Sequence, residues 1–143
     1  MTRISAADNS CSAGASSAAI AEAFSPATKA VLVETISNPL WNVMDIEALA
    51  AVCHGRGALL FVDNTSATPC VCRPLTVGAD VVLHSATKFL SGHHDVTAGI
   101  IVGTRDFVAR CRESAIRLGP SLAPFEAWLA VRGIRTLSLR MER

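Results

Sequence analysis

Lys88 lies in the segment His84-Ser85-Ala86-Thr87-Lys88-Phe89, directly after the apolar run Ala79-Asp80-Val81-Val82-Leu83. A second apolar run upstream, Ala58-Leu59-Leu60-Phe61-Val62, ends in Asp63-Asn64-Thr65. One strand-like segment therefore delivers an acid and the next a lysine. In open α/β sheets, ligands bind beyond the carboxyl ends of parallel strands. A lysine amine loses its proton readily when desolvated and then adds to a carbonyl, forming a Schiff base. An acid nearby holds a protonated ring nitrogen. Those two groups are what pyridoxal phosphate requires. A substrate amine would displace the lysine, and the freed amine is a general base for the substrate α-proton. Asp63, by keeping the ring nitrogen protonated, makes the ring a stronger electron sink. Ser85 and Thr87 stand three and one residues before Lys88. Their hydroxyls can donate to a phosphate, helped by backbone N–H groups of the turn. Asn38 also lies at a strand end, where it can hydrogen-bond a ring hydroxyl.

Each residue alone has an ordinary reading. A lysine after an apolar strand is usually a solvated terminus, an aspartate there a turn or helix cap, and serine and threonine are common in turns. The joint arrangement points to chemistry: an acid after one strand, then Ser-X-Thr-Lys after the next.

The positioning elements follow from the apolar pattern. Residues 1–17, rich in Ser, Ala and Gly with no apolar period, read as an irregular lead-in. Residues 18–24 predict a short helix and 30–35 a buried strand. Pro39 disfavours helical geometry at Asn38 and opens a loop. Asp45 caps a helix through about residue 53, with Ile46, Leu49 and Val52 on one face, ended by Gly55 and Gly57. Strand 58–63 completes a parallel β-α-β unit. Residues 69–78 read as irregular with one short helical turn, and 79–84 as the next strand. Residues 97–103 follow Lys88 too closely for a long crossover, so they predict an antiparallel edge strand. A basic helix over 104–118 turns Phe107, Val108, Cys111 and Ala115 inward, and a final helix over 123–139 carries Phe125, Trp128, Leu129 and Ile134.

The chain has 143 residues, a formal net charge of +1 and 50% hydrophobic residues, which suits one domain and gives no electrostatic case for nucleic acid or a membrane surface. Mean hydropathy is +0.39, yet no apolar run reaches the ~20 residues of a membrane helix. The excess reads as strands buried on both faces in a larger α/β protein. Five cysteines, an odd number without a signal peptide, argue against a disulfide framework and for a reducing, cytoplasmic compartment. Cys70-Val71-Cys72 has no matching pair for zinc, and His93-His94-Asp95 reads as a polar turn rather than a metal site. His54 and His84 read as capping and packing residues, Trp41 and Trp128 as core or interface.

Several motifs together resemble one family: Val62-Asp63-Asn64-Thr65, Ala67-Thr68-Pro69, Arg73-Pro74-Leu75, Gly78-Ala79-Asp80, His84-Ser85-Ala86-Thr87-Lys88 and Gly92-His93. This is the Cys/Met-metabolism, or trans-sulfuration, family of PLP-dependent enzymes: cystathionine γ-synthase, cystathionine lyases, methionine γ-lyase and O-acyl-homoserine sulfhydrylases. Glu34-Thr35-Ile36-Ser37-Asn38-Pro39 fits the family's Asn-Pro loop. Pro124 to Leu129, Arg132-Gly133, Thr136-Leu137 and Arg140-Met141-Glu142-Arg143 fit the helix after its cofactor domain. The resemblance covers roughly residues 18–143.

The resemblance implies that Lys88 is the Schiff-base lysine and Asp63 the acid on the pyridine nitrogen. It implies that Ser85 and Thr87 bind the phosphate and that Asn38 lies near the ring hydroxyl. The implied fold is α/β: part of the large PLP-binding domain of the aspartate-aminotransferase-like (fold type I) superfamily, a mostly parallel sheet with flanking helices. Residues 18–143 would be that partial domain, with the C-terminal small domain absent. The implied reaction is β- or γ-elimination or replacement on cysteine-, cystathionine-, methionine- or O-acylhomoserine-like amino acids. The complete form would be a homo-oligomer, dimer or tetramer, without nucleic-acid or membrane partners. The chain contains no tyrosine, so the family's ring-stacking tyrosine is not among its residues. Phe89 stands where many members have tyrosine. Arg140 and Arg143 fit helix positions rather than a substrate-carboxylate clamp. The alternative expectation is a truncated, catalytically incompetent fragment acting at most as an interaction partner.

Overall fold

The computed structural model describes residues 16–143, so most of the expected lead-in, with Cys11, lies outside the described residues. Four strands form one sheet in the order β1-β2-β3-β4: β1 (Ala30–Glu34), β2 (Leu59–Asp63), β3 (Val81–Ser85) and β4 (Gly99–Val102). The first three are parallel, and β4 pairs antiparallel with β3, as the short connection after Lys88 requires. Register sets Glu34 beside Asp63 and Asp63 beside Leu83, so the carboxyl ends of β1, β2 and β3 share one edge.

Helix α1 (Ser17–Glu22) and α2 (Ile46–Gly55) precede β2. The Asp45 side chain accepts the Ala48 N–H at 3.0 Å, filling one of the unpaired donors of the first turn of α2. Gly57, at φ +68, makes the left-handed exit that a Cβ would strain. The main core lies between α2 and the sheet. Leu49 and Cys53 of α2, with Leu60 and Val62 of β2, are completely buried, joined by Ile46, Ala50, Ala79 and Val82. Each of the larger side chains contributes about 1.5–3 kcal/mol by leaving water.

The opposite face is thinly covered. Helix α4 (Arg105–Leu118) has no buried residue. Phe107, Val108, Cys111 and Ala115, the expected inward set, are its half-buried positions. Phe107 meets Phe61 edge-to-face at 5.7 Å. An open, mostly apolar groove of about 660 Å³ runs between α4 and the Leu59, Phe61 and Ile101 side of the sheet.

Two sequence expectations need correction. Residues 69–78 hold two short helical pieces, α3 (Thr68–Val71) and a 3-10 turn (Pro74–Val77). Pro69 and Pro74 each sit in a first turn, where the missing N–H costs nothing. The final helix is also broken, into α5 (Pro124–Ile134) and α6 (Leu137–Met141). An uninterrupted helix would offer the Gly133 carbonyl to Leu137. Instead it accepts the Thr136 N–H at 3.2 Å, the Thr136 hydroxyl at 3.2 Å and Arg140 Nη2 at 2.9 Å. Among the described residues, no helix is long and apolar enough to cross a membrane.

Candidate active site

Asp63 is the last residue of β2 and Ser85 the last of β3. Thr65 joins them. Its N–H and its hydroxyl both donate to Asp63 Oδ1, at 2.9 and 2.5 Å, while its hydroxyl oxygen accepts the Ser85 N–H at 2.7 Å. This is an Asx-type turn at the strand end, the side chain standing in for backbone. The two bonds to Asp63 both fall on Oδ1; Oδ2 carries none among the described residues.

Asn64 points the other way and is fully buried. Its Oδ1 accepts the Thr35 hydroxyl at 2.7 Å, its Nδ2 donates to Cys72 O at 2.9 Å, and its N–H donates to Leu83 O at 2.9 Å. One residue thus ties β1, β3 and the end of α3 to the end of β2. Thr68, also fully buried, adopts φ +60, an outlier for a β-branched residue. Its N–H donates to Asn64 O at 2.9 Å and its hydroxyl accepts the Cys70 N–H at 3.3 Å, so local bonds hold the unusual turn.

Lys88 is exposed, in a tight turn anchored by completely buried Ala86 and Ser91. Its N–H donates to Ser85 O at 3.1 Å; the Ser91 N–H donates to Ala86 O at 3.0 Å, and the Gly92 N–H to Lys88 O at 2.9 Å. The Thr87 hydroxyl accepts the Ala98 N–H at 3.0 Å and donates to Ala98 O over a long 3.4 Å. Rotation about the C–O bond can redirect that proton. The Ser85 hydroxyl has no hydrogen-bond partner among the described residues. Asp63, Ser85, Thr87 and Lys88 are thus brought to one end of β2 and β3. Asn38 lies in the loop after β1 at the same sheet edge, exposed, its N–H donating to Glu34 Oε2 at 2.9 Å. Its side chain makes no hydrogen bond to the other four.

His84, next to Ser85 in the chain, is buried and its Nδ1 has no partner among the described residues. Burial pushes its pKa below the usual histidine value; the nearby Asp63 charge and a hydrogen bond with the Asn64 backbone oppose that more weakly. His54 pairs with Asp80 at 3.0 Å, and Asp80 Oδ2 also accepts the Leu60 N–H at 2.7 Å. Burial, seconded by Asp80, pushes the Cys53 thiol up to about 11, so it stays protonated and unreactive. In His93-His94-Asp95, Asp95 pairs with Arg132 and His93 Nδ1 lies 2.6 Å from Ser91 O.

Sequence reasoning passed over Thr65, Asn64 and Arg140. Asp63-Asn64-Thr65 did carry a local signal, the aspartate-to-second-residue turn. Arg140 carried none: its guanidinium bonds Phe89 O and Leu90 O, about fifty positions earlier in the chain.

Comparison with known proteins shows the family and the fold. Residues 4–143 match the family model described as Cys/Met metabolism PLP-dependent enzyme. The chain is 46% identical over 127 residues to L-methionine γ-lyase of Pseudomonas putida, covering 87% of this chain and 32% of that protein. It is 45% identical over 133 residues to cystathionine γ-synthase of Haemophilus influenzae, covering 90% and 35%. The crystal structure of cystathionine γ-lyase from Lactobacillus plantarum complexed with L-serine superposes with a TM-score of 0.82 at 42% identity, over 85% of this chain and 32% of that one. The chain spans about a third of the length of the curated relatives it matches. With the strand-end acid, the lysine turn and the mostly parallel sheet in place, the chain belongs to the Cys/Met metabolism family of PLP-dependent enzymes.

Proposed function

We propose that residues 18–143 supply part of the PLP-binding domain of an enzyme acting on sulfur amino acids, by β- or γ-elimination or replacement. The substrate class is cysteine-, cystathionine-, methionine- or O-acylhomoserine-like. The observation that carries this reading is the Thr65 link between Asp63 and Ser85, three residues before Lys88.

The donor set fits pyridoxal phosphate. Asp63 keeps Oδ2 open for a cationic ring nitrogen while Oδ1 is fixed. Ser85 presents an unpartnered hydroxyl and Thr87 a redirectable one, both suited to a phosphate. Asn38 offers an amide to a ring hydroxyl, and Lys88 an exposed amine to an aldehyde. Bound there, pyridoxal phosphate supplies an electron-withdrawing ring that stabilises a carbanion. Lys88 Nζ then takes and returns the substrate α-proton. Asp63, through Oδ2, would be the residue that faces the ring nitrogen. The proposed partners are an amino-acid substrate and further copies of the chain. Exposed Trp41, Val43, Phe125 and Trp128 support association. Free thiols at all four described cysteines support a cytoplasmic setting.

Lys88 and Lys29 are the two lysines of the chain, which makes the test direct. The purified chain is mixed with pyridoxal phosphate, reduced with borohydride and mapped by peptide. Label concentrated on Lys88 supports the assignment. Label shared between Lys29 and the N-terminus overturns it and favours the second reading, a catalytically incompetent fragment that packs against other chains. Among the described residues no strand pairs with the outer edge of β1 and nothing fills the groove beside α4, which favours that second reading.

A further inference from the structure

We propose that Arg140 is a positioning residue for Lys88, holding the turn that carries the lysine against helices α5 and α6. The inference rests on the assignment of Lys88 as the cofactor-bearing lysine. Within the turn, the carbonyls of Ala86, Thr87 and Lys88 are satisfied locally by Ser91 and Gly92. The next two, of Phe89 and Leu90, receive no donor from the turn itself. Arg140 supplies them: Nη1 donates to Phe89 O at 2.7 Å and Nη2 to Leu90 O at 3.3 Å. The same side chain reaches Gly133 O at 2.9 Å and Thr136 Oγ1 at 3.2 Å, fastening both ends of the α5–α6 break. These bonds use four of the five N–H donors of a guanidinium. A group so occupied has no bidentate face left for a substrate carboxylate.

Two glycines make room for this clamp. Gly92 has φ +70, and a Cβ there would lie 2.6 Å from the Arg140 guanidinium carbon. A Cβ on Gly133 would lie 2.1 Å from Ser91 O. The turn therefore yields space to the arginine, and the helix yields space to the turn. The Asp95–Arg132 ion pair fastens the far end of the same segment to α5. A flexible lysine side chain is only as well aimed as the backbone beneath it, and a displacement of about 1 Å at a reacting group can cost roughly a hundredfold. The planar fork is the working feature, since an ammonium in its place is a single point donor.

The test uses the full chain with Arg140→Lys and Arg140→Gln. Amide hydrogen exchange is followed at Ser91 and Gly92, with Leu60 and Val62 of β2 as internal controls. Borohydride-trapped pyridoxal phosphate is apportioned between Lys88 and Lys29. Exchange at Ser91 and Gly92 should quicken about tenfold in both variants while β2 is unchanged. The preference for Lys88 over Lys29 should fall by about the same factor. Wild-type exchange at Ser91 and Gly92 in both variants overturns the proposal. So does equal acceleration in β2, which makes Arg140 a general stabiliser. If the unmodified chain shows no preference for Lys88, the lysine assignment fails, and the exchange rates still decide whether Arg140 holds the turn.

Discussion

The Thr65 hydroxyl stands between two strands: it donates to the Asp63 carboxylate at 2.5 Å and accepts the Ser85 N–H at 2.7 Å. Asp63 is thereby oriented by the strand that leads to Lys88. Thr65→Val keeps the shape and removes both bonds, leaving the Ser85 N–H without its partner. The expected loss is about 1–3 kcal/mol of stability, read from urea unfolding. Cofactor trapping on Lys88 should weaken as well, because Asp63 Oδ1 keeps only the backbone N–H of its two donors and is no longer tied to Ser85. Thr65→Ser should restore both. Equal behaviour of the valine and serine variants would remove Thr65 from this role.

Asn64 has a different task, since it faces the interior. Asn64→Leu would strand the buried Thr35 hydroxyl and remove the donor to the carbonyl of half-buried Cys72. The stranded hydroxyl, at about 1–3 kcal/mol, together with the lost bond to the carbonyl, outweighs the gain from an apolar side chain. The midpoint of urea unfolding should fall sharply. A midpoint within error of the parent would mean that water or a local shift satisfies both groups.

The parallel strands were legible because each is a short continuous apolar run closed by a polar residue. Asp63 and Lys88 were legible because they close two such runs. The β4 direction followed from the few residues available between Lys88 and Gly99. What was not legible depends on contacts distant in sequence. The break between α5 and α6 follows from Thr136 and Arg140 both donating to the Gly133 carbonyl, and from the turn that Arg140 reaches. Trp41 and Trp128, expected in a core or an interface, are 69% and 57% exposed, so neither is in the core of this chain. Trp128 instead stacks on Phe125 at 5.9 Å, with the Arg132 guanidinium over its ring.

Gly133 sets helix propensity against close approach. In an open helix, glycine to alanine stabilises by about 1 kcal/mol. Here the added methyl would sit 2.1 Å from a backbone oxygen of Ser91, which has no side-chain freedom to retreat. Overpacking of that kind costs about 1–3 kcal/mol or more, so the clash wins. Gly133→Ala should lower the urea midpoint and displace the Lys88 turn, read as faster amide exchange at Ser91. A more stable variant would show that the helix and turn are further apart than this.

His84 gives the fold a dependence on pH. Its imidazole is buried without a partner for Nδ1, and burial lowers its pKa from the ordinary 6.5. The unfolded chain therefore binds a proton that the folded chain resists. Above the unfolded value the group is neutral in both states and its stabilising contribution is complete. As pH falls below about 6.5 the unfolded state gains the proton first, and stability declines until the folded imidazole also titrates. Thermal unfolding between pH 7.5 and 5 should show the midpoint falling with pH in the parent chain. His84→Gln should flatten that slope at a lower starting stability, because an amide does not titrate in this range. Asp63→Asn should steepen the decline, since the Asp63 carboxylate is the charge that favours the imidazolium. A slope unchanged in both variants would assign the pH dependence to other groups.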